Sequence, residues 1–268
     1  MYNRIFYYLI RPHQAIQKIV LKIQNFYKKK NYNLNLFETE QNDLYKKYNL
    51  VREKGVANIK NIQNKYQFLK DEMSSEHQIF FSSLSLLENL EIKEILEIGT
   101  WNAKNAFLLS VLFKEAKIDT IDLKKDHEIF KDFYNRSNKV EKFVKLRDEI
   151  ISMEKRICFK ELNSLRLYDY KKKYNLIWID GAHGYPVVCM DIVNSLKLIN
   201  TNGIIMCDDV FINKIKSDKI YQSTASYETL VELKKENIID FDLIYKRLDV
   251  ENNYDKTKRK FVAIITKL

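Results

Sequence analysis

Glycine is scarce in this chain: five in 268 residues, where average usage near 7% would give about nineteen. Proline occurs twice and arginine is sparse, while lysine, asparagine, isoleucine and tyrosine are heavily used. The shortage therefore reads as a global compositional bias, and it makes each retained glycine worth locating. Cysteine is also rare. Cys158, Cys189 and Cys207 are odd in number and show no CxxC spacing, which argues against a disulfide framework or a zinc site. All three lie on apolar segments and read as small core residues. No stretch of about 18 apolar residues is present to span a bilayer. The N-terminal run IFYYLI is short and lacks a small-residue cleavage site, so it does not read as a signal peptide. No acidic residue precedes Glu38.

What remains is 46% apolar and 31% charged, the make-up of a soluble cytoplasmic protein in a reducing compartment. The length allows one full core plus an appended segment. The net charge of +10 is unevenly placed, since seven basic residues (Arg4, Arg11, Lys18, Lys22, Lys28, Lys29, Lys30) precede the first acid. It is mostly an N-terminal property and is discounted as a nucleic-acid signal.

After Pro12, which suits a first helical turn, Ile16, Ile19, Val20, Ile23, Phe26 and Tyr27 form one apolar helical face opposite lysines. NYNLNLFETEQND (31–43) reads as a loop, followed by a helical region near 44–69. Ser74 or Ser75 is placed to cap a third helix through Leu90. From Glu94 short apolar runs alternate with helical patterns: EILEIGT, KIDTIDL, ICFKEL, YNLIWID and GIIMCDD. That alternation implies crossover connections and a mostly parallel sheet. FDLIYKRL and KFVAIITKL have only a polar loop between them and suit an antiparallel hairpin. The segment 124–156 is long for one crossover and predicts two helices broken near Asn135, Ser137 and Asn138. The expectation is an N-terminal helical extension, 1–74, on an α/β domain, 75–268.

The first strand ends ILEIGT. A glycine directly after a buried strand permits a sharp turn and close ligand approach. Asp122, at the tip of the next strand, is placed to accept hydrogen bonds from ribose hydroxyls. GTWNAKNA has one glycine where a dinucleotide fingerprint needs three. Thr100, Trp101 and Asn102 would crowd a pyrophosphate, so the loop suits a nucleoside cofactor without phosphates.

These residues resemble those of the class I S-adenosylmethionine-dependent methyltransferases over about 75–268. Glu97-Ile98-Gly99-Thr100 is similar to their first motif, Asp122 to their ribose-binding acid, and Asn163-Ser164 to their adenine-side turn. Ala103 and Lys104 stand where relatives usually have glycine, and Asn163 where an aspartate is frequent. The resemblance implies a Rossmann-like, mostly parallel sheet closed by a C-terminal antiparallel hairpin. Cofactor contacts are then expected at Glu97, Gly99, Thr100, Trp101, Asp122, Asn163, Ser164 and Asp180. DGAHGYPVVCMDI followed by GIIMCDDV is similar to a metal-dependent subgroup that methylates hydroxyls of sugars and small molecules.

The acids can be argued separately. Adjacent parallel fourth and fifth strands would bring Asp180, Asp208 and Asp209 to one sheet edge. Converging carboxylates repel unless protonated, hydrogen-bonded or shared by a cation. Oxygen ligands favour Mg²⁺, or Ca²⁺ or Mn²⁺, over zinc. Such an ion would lower the pKa of a substrate hydroxyl, with His183, between Gly181 and Gly184, as general base and Asp180 beside it. The two glycines are expected to let the backbone turn while aiming both side chains at substrate. Trp101 and Trp178 read as pocket wall or core, and His13, His77 and His127 carry no role.

Two rival readings are weighed against methylation of a small, sugar-like acceptor. A nucleic-acid methyltransferase would show an Asn-Pro-Pro-Tyr-like element where this chain has DGAHGYP, and stacking aromatics among its basic residues. A module recruited to the inner membrane face would use the basic amphipathic N-terminus. Packing or homo-oligomerisation through the N-terminal helices is favoured over membrane contact.

Overall fold

The computed structural model describes residues 33–71, 76–128, 140–213, 223–248 and 259–268, with positions 16, 20, 23, 26 and 27. Its centre is a seven-stranded sheet: β1 (Glu94–Ile98), β2 (Lys117–Asp122), β3 (Ile157–Glu161), β4 (Tyr174–Ile179), β5 (Ile199–Val210), β6 (Ile239–Tyr245) and β7 (Phe261–Lys267), in the order β3-β2-β1-β4-β5-β7-β6. β1 to β5 pair in parallel, and β7 pairs antiparallel with both β5 and β6. The expected five parallel strands and terminal hairpin are all present. The order reverses direction between β1 and β4, and a crevice opens beyond strand ends at such a switch point.

Helices cover both faces: α1 (Leu34–Lys47), α2 (Arg52–Lys65), α3 (Glu76–Leu84), α4 (Lys104–Leu112), α5 (Val140–Ser152), α6 (Val187–Leu198) and α7 (Ala225–Lys235). Side-chain alternation along the strands splits the core in two. Ile95, Leu176, Trp178 and Met206 pack with residues of α2 to α5, whereas Leu96, Ile98, Ile177, Ile179 and Ile205 pack with α6 and α7. Tyr45, Leu50 and Ile59, from the expected N-terminal extension, belong to the first of these cores. The expected boundary at 74/75 and the break at 135–138 lie outside the described residues.

The stretch 31–43 is not a loop, because helix α1 occupies it from Leu34. Asn33 caps that helix, its side-chain oxygen accepting from Leu36 N at 3.3 Å, so an asparagine read as a breaker is a start signal. Gln41 and Tyr45, one turn apart, are buried. The helical region 44–69 is two helices, divided by Asn49 in the left-handed conformation (φ 58°). Helix α3 stops at Leu84, and turns carry the chain on toward Leu90. Ile16, Val20, Ile23, Phe26 and Tyr27 are helical and exposed. Cys158 is exposed rather than a core residue, lying on the edge strand β3, while Cys207 is buried. No described helix is long and apolar enough to cross a membrane.

Candidate active site

The turn after β1 is built by close backbone approach. Gly99 has φ 101°, and a Cβ placed there would lie 2.3 Å from the Asp180 carbonyl oxygen. Glycine is therefore required on both counts. Trp101 and Ala103 follow with φ of 50° and 63°, so the left-handed turn persists at Ala103 although no glycine supplies it. Asn102 accepts from Lys104 N at 3.0 Å to start α4. Asp122, at the end of β2, holds this loop from the side. One carboxylate oxygen accepts from Trp101 N at 2.9 Å and the other from Leu123 N at 2.8 Å.

These strand ends frame an open groove lined by Gly99, Trp101, Asp122, Asn163, Ser164 and Asp180 among others. Asn163 accepts from Leu165 N at 3.0 Å and caps the 3₁₀ turn Ser164–Asp169. Glu97 and Thr100 do not line the groove. They are buried beneath it, where Glu97 accepts from Thr120 Oγ1 at 2.5 Å and Asn105 Nδ2 at 2.8 Å, and Thr100 pairs with Thr120 at 2.7 Å. Their place is to stiffen the β1 turn.

At the far end of the groove, β4 delivers Asp180 and β5 delivers Asp208 and Asp209. Consecutive strand residues normally point to opposite faces. Here the ladder to β7 slips between Cys207 and Val210, and Asp209 has φ 53°. This bulge brings both carboxylates to one group. That group is Lys246, whose ammonium contacts Asp208 Oδ2 and lies 2.5 Å from Asp209 Oδ1. Lys260 lies 2.5 Å from the other Asp209 oxygen. The two lysines face each other across the mouth of the hairpin, where Lys246 N donates to Lys260 O at 3.0 Å.

His183 Nε2 is 3.6 Å from Asp180 Oδ1 and 3.8 Å from Asp209 Oδ2. Burial lowers the His183 pKa against the pull of the two aspartates Asp209 and Asp208, which keeps the ring neutral. Burial and the adjacent Asp208 charge push the Asp180 carboxyl well above its usual range. Asp208 stays ionised, because the Lys246 ammonium outweighs its burial. Gly181 and Gly184 do not turn the chain through positive φ. Among the described glycines only Gly99 does, and a Cβ on Gly181 would make only ordinary contacts.

The expected metal triad does not form a cation site. Two ammonium groups already occupy the space among Asp208 and Asp209, and among the described residues no group of acids, histidines or cysteines is arranged to hold a metal. With Lys246 and Lys260 seated on these oxygens the arrangement does not fit Mg²⁺, and no step below uses one.

A methyltransferase-domain family model matches residues 96–210, the span from β1 through β5. Over that span the chain is similar to methyltransferase domains. Solved structures share its fold. A methyltransferase of Podospora anserina, PaMTH1, solved with S-adenosylhomocysteine, is 19% identical with a TM-score of 0.51, covering 76% of this chain and 86% of its own. A Staphylococcus aureus protein assigned as a caffeoyl-CoA O-methyltransferase is 15% identical with a TM-score of 0.51, covering 84% and 96%. No curated protein matches the chain in sequence.

Four residues of the methyltransferase domain and its flanks were not legible as site residues. Lys246 and Lys260 read as the polar ends of hairpin strands, and only the β5-β7-β6 order places them beside the acids. His77, on α3, is buried, stacks on Trp178 at 4.5 Å, and is held by burial down to about 4. Asp191, on α6, has no exposed surface and no hydrogen-bond partner on either oxygen. Its sequence signal, an acid inside the apolar run VVCMDIV, was visible but pointed to no partner.

Proposed function

We propose that this methyltransferase methylates a hydroxyl oxygen of a small metabolite of the sugar class, with His183 as general base. The observation that carries the proposal is the continuity of the groove with the acid–histidine end: Asp180 lines the groove and also sits 3.6 Å from His183 Nε2. S-adenosylmethionine, held along this groove, would supply an electrophilic methyl group on a sulfonium. Asp122 fits the ribose hydroxyls, with Asn163 and Ser164 at the adenine side and Trp101 as a wall. A base must be neutral to accept the acceptor's proton, and burial keeps His183 so. Asp209, 3.8 Å from His183 Nε2, then lies close enough to stabilise the imidazolium. Most of the remaining acceleration is alignment of the acceptor oxygen with the methyl carbon. The O-methyltransferase assignment of the Staphylococcus aureus fold neighbour is in keeping with this reading.

The test is transfer of labelled methyl from S-adenosylmethionine to a panel of monosaccharides, nucleotide sugars and small alcohols. Wild type should label at least one hydroxyl compound, and His183→Asn should reduce that rate by ~10²-fold or more while still binding S-adenosylhomocysteine. An unchanged rate in His183→Asn would remove the base assignment.

A further inference from the structure

We infer that the ammonium of Lys246 stands in for a divalent cation, so that the acidic strand ends of this site are organised without a metal. The inference rests on the methyltransferase reading only for its role, and on geometry for the rest. Lys246 contacts Asp208 and Asp209 together, and its side chain is only 10% exposed. Lys260 takes the remaining oxygen of Asp209. Two carboxylates therefore meet two ammonium groups, and no negative charge is left over between them for an added ion to neutralise. A hard cation needs several oxygens within about 2.0–2.6 Å, and the same oxygens are already in contact with Lys246. Ammonium and metal cannot both be seated.

The lysine is held there by structure beyond the catalytic domain's own strands. Glu76 N, at the start of α3, donates to Lys246 O at 2.9 Å. Gln41 of α1 brackets the preceding residue, accepting from Tyr245 N at 2.9 Å and donating to Tyr245 O at 3.1 Å. Glu76 is in turn fixed by Arg52 of α2 through two bonds of 2.7 and 2.8 Å. The N-terminal helices thus set the position from which Lys246 reaches the acids. Lys246 is a positioning residue: it orients Asp209, which flanks His183, and lends a fixed positive charge to the place where the acceptor hydroxyl would lose its proton.

The experiment is Mn²⁺ titration of the full chain, followed by electron paramagnetic resonance of free Mn²⁺. Wild type and Lys246→Arg should show no stoichiometric site. Lys246→Met, which keeps the stem and removes the charge, should gain one Mn²⁺ site, with affinity raised at least ~100-fold, and the added change Asp208→Asn should abolish it. A stoichiometric wild-type site lost on Asp208→Asn would overturn the inference, as would a folded Lys246→Met that stays blind to Mn²⁺. The wild-type titration alone keeps the inference falsifiable if Lys246→Met does not fold. Binding of S-adenosylhomocysteine, measured in the same preparations, reports separately on the methyltransferase reading.

Discussion

Asp191 predicts that this protein loses stability as the pH rises from about 4 toward 7. Its carboxylate is fully buried on α6 with neither oxygen hydrogen-bonded, and burial raises its pKa from 3.8 to about 7. The folded state holds this proton more tightly than the unfolded chain does. Stability is therefore highest below the unfolded pKa and falls as pH climbs toward about 7. At about 1.4 kcal/mol per pKa unit, the full penalty above pH 7 is about 4 kcal/mol. At pH 5 it is about 2 kcal/mol by the same linkage. Asp191→Asn keeps the shape and cannot ionise, so it removes the slope and leaves any fixed cost of the buried amide unchanged with pH. Urea denaturation of both proteins at pH 5 and pH 8 reads the difference. The variant should gain about 2–3 kcal/mol on wild type between the two. A gap between variant and wild type that stays constant across that range would refute the reasoning.

Gly99→Ala should cost about 3 kcal/mol or more in urea denaturation, since the new methyl meets the Asp180 carbonyl at 2.3 Å in a left-handed conformation. Arg52→Ala should cost about 3 kcal/mol by leaving the Glu76 carboxylate buried without its ion partner; adding Glu76→Gln should recover part of it in the same assay. Removing residues 1–30 should abolish whatever self-association sedimentation detects, because Ile16, Val20, Ile23, Phe26 and Tyr27 expose one apolar face. Equal pelleting of both chains with anionic liposomes would count against a membrane role for that face.

The parallel strands were legible because each is an apolar run punctuated by turns, and runs of that kind survive without knowledge of neighbours. So were Gly99 and Asp122, which act within one strand-turn-helix unit. Helix α1 was not, because its asparagine-rich opening has the composition of a loop, and only the position of Asn33 before Leu36 makes it a cap. Gly55 also had no account from sequence. It sits where α2 crosses α3, and a Cβ there would meet Ser83 Oγ at 2.1 Å and Ile79 O at 2.7 Å. The acidic pair was found, but its counter-charge was not. Lys246 is 38 residues from Asp208, just beyond the end of β6, a strand separated from β5 by β7, and a bulge at Asp209 completes the contact. Such a pairing is a property of sheet order, which a local reading of carboxylates mistakes for an open cation site.

The central claim is that the groove between Gly99, Asp122 and Asp180 holds S-adenosylmethionine. Calorimetric titration with S-adenosylhomocysteine tests it most directly. Wild type should bind one equivalent with or without EDTA, and Asp122→Ala should weaken binding by ~10–100-fold through loss of the ribose hydrogen bonds. A folded wild-type protein that releases no heat and shows no binding would contradict the account.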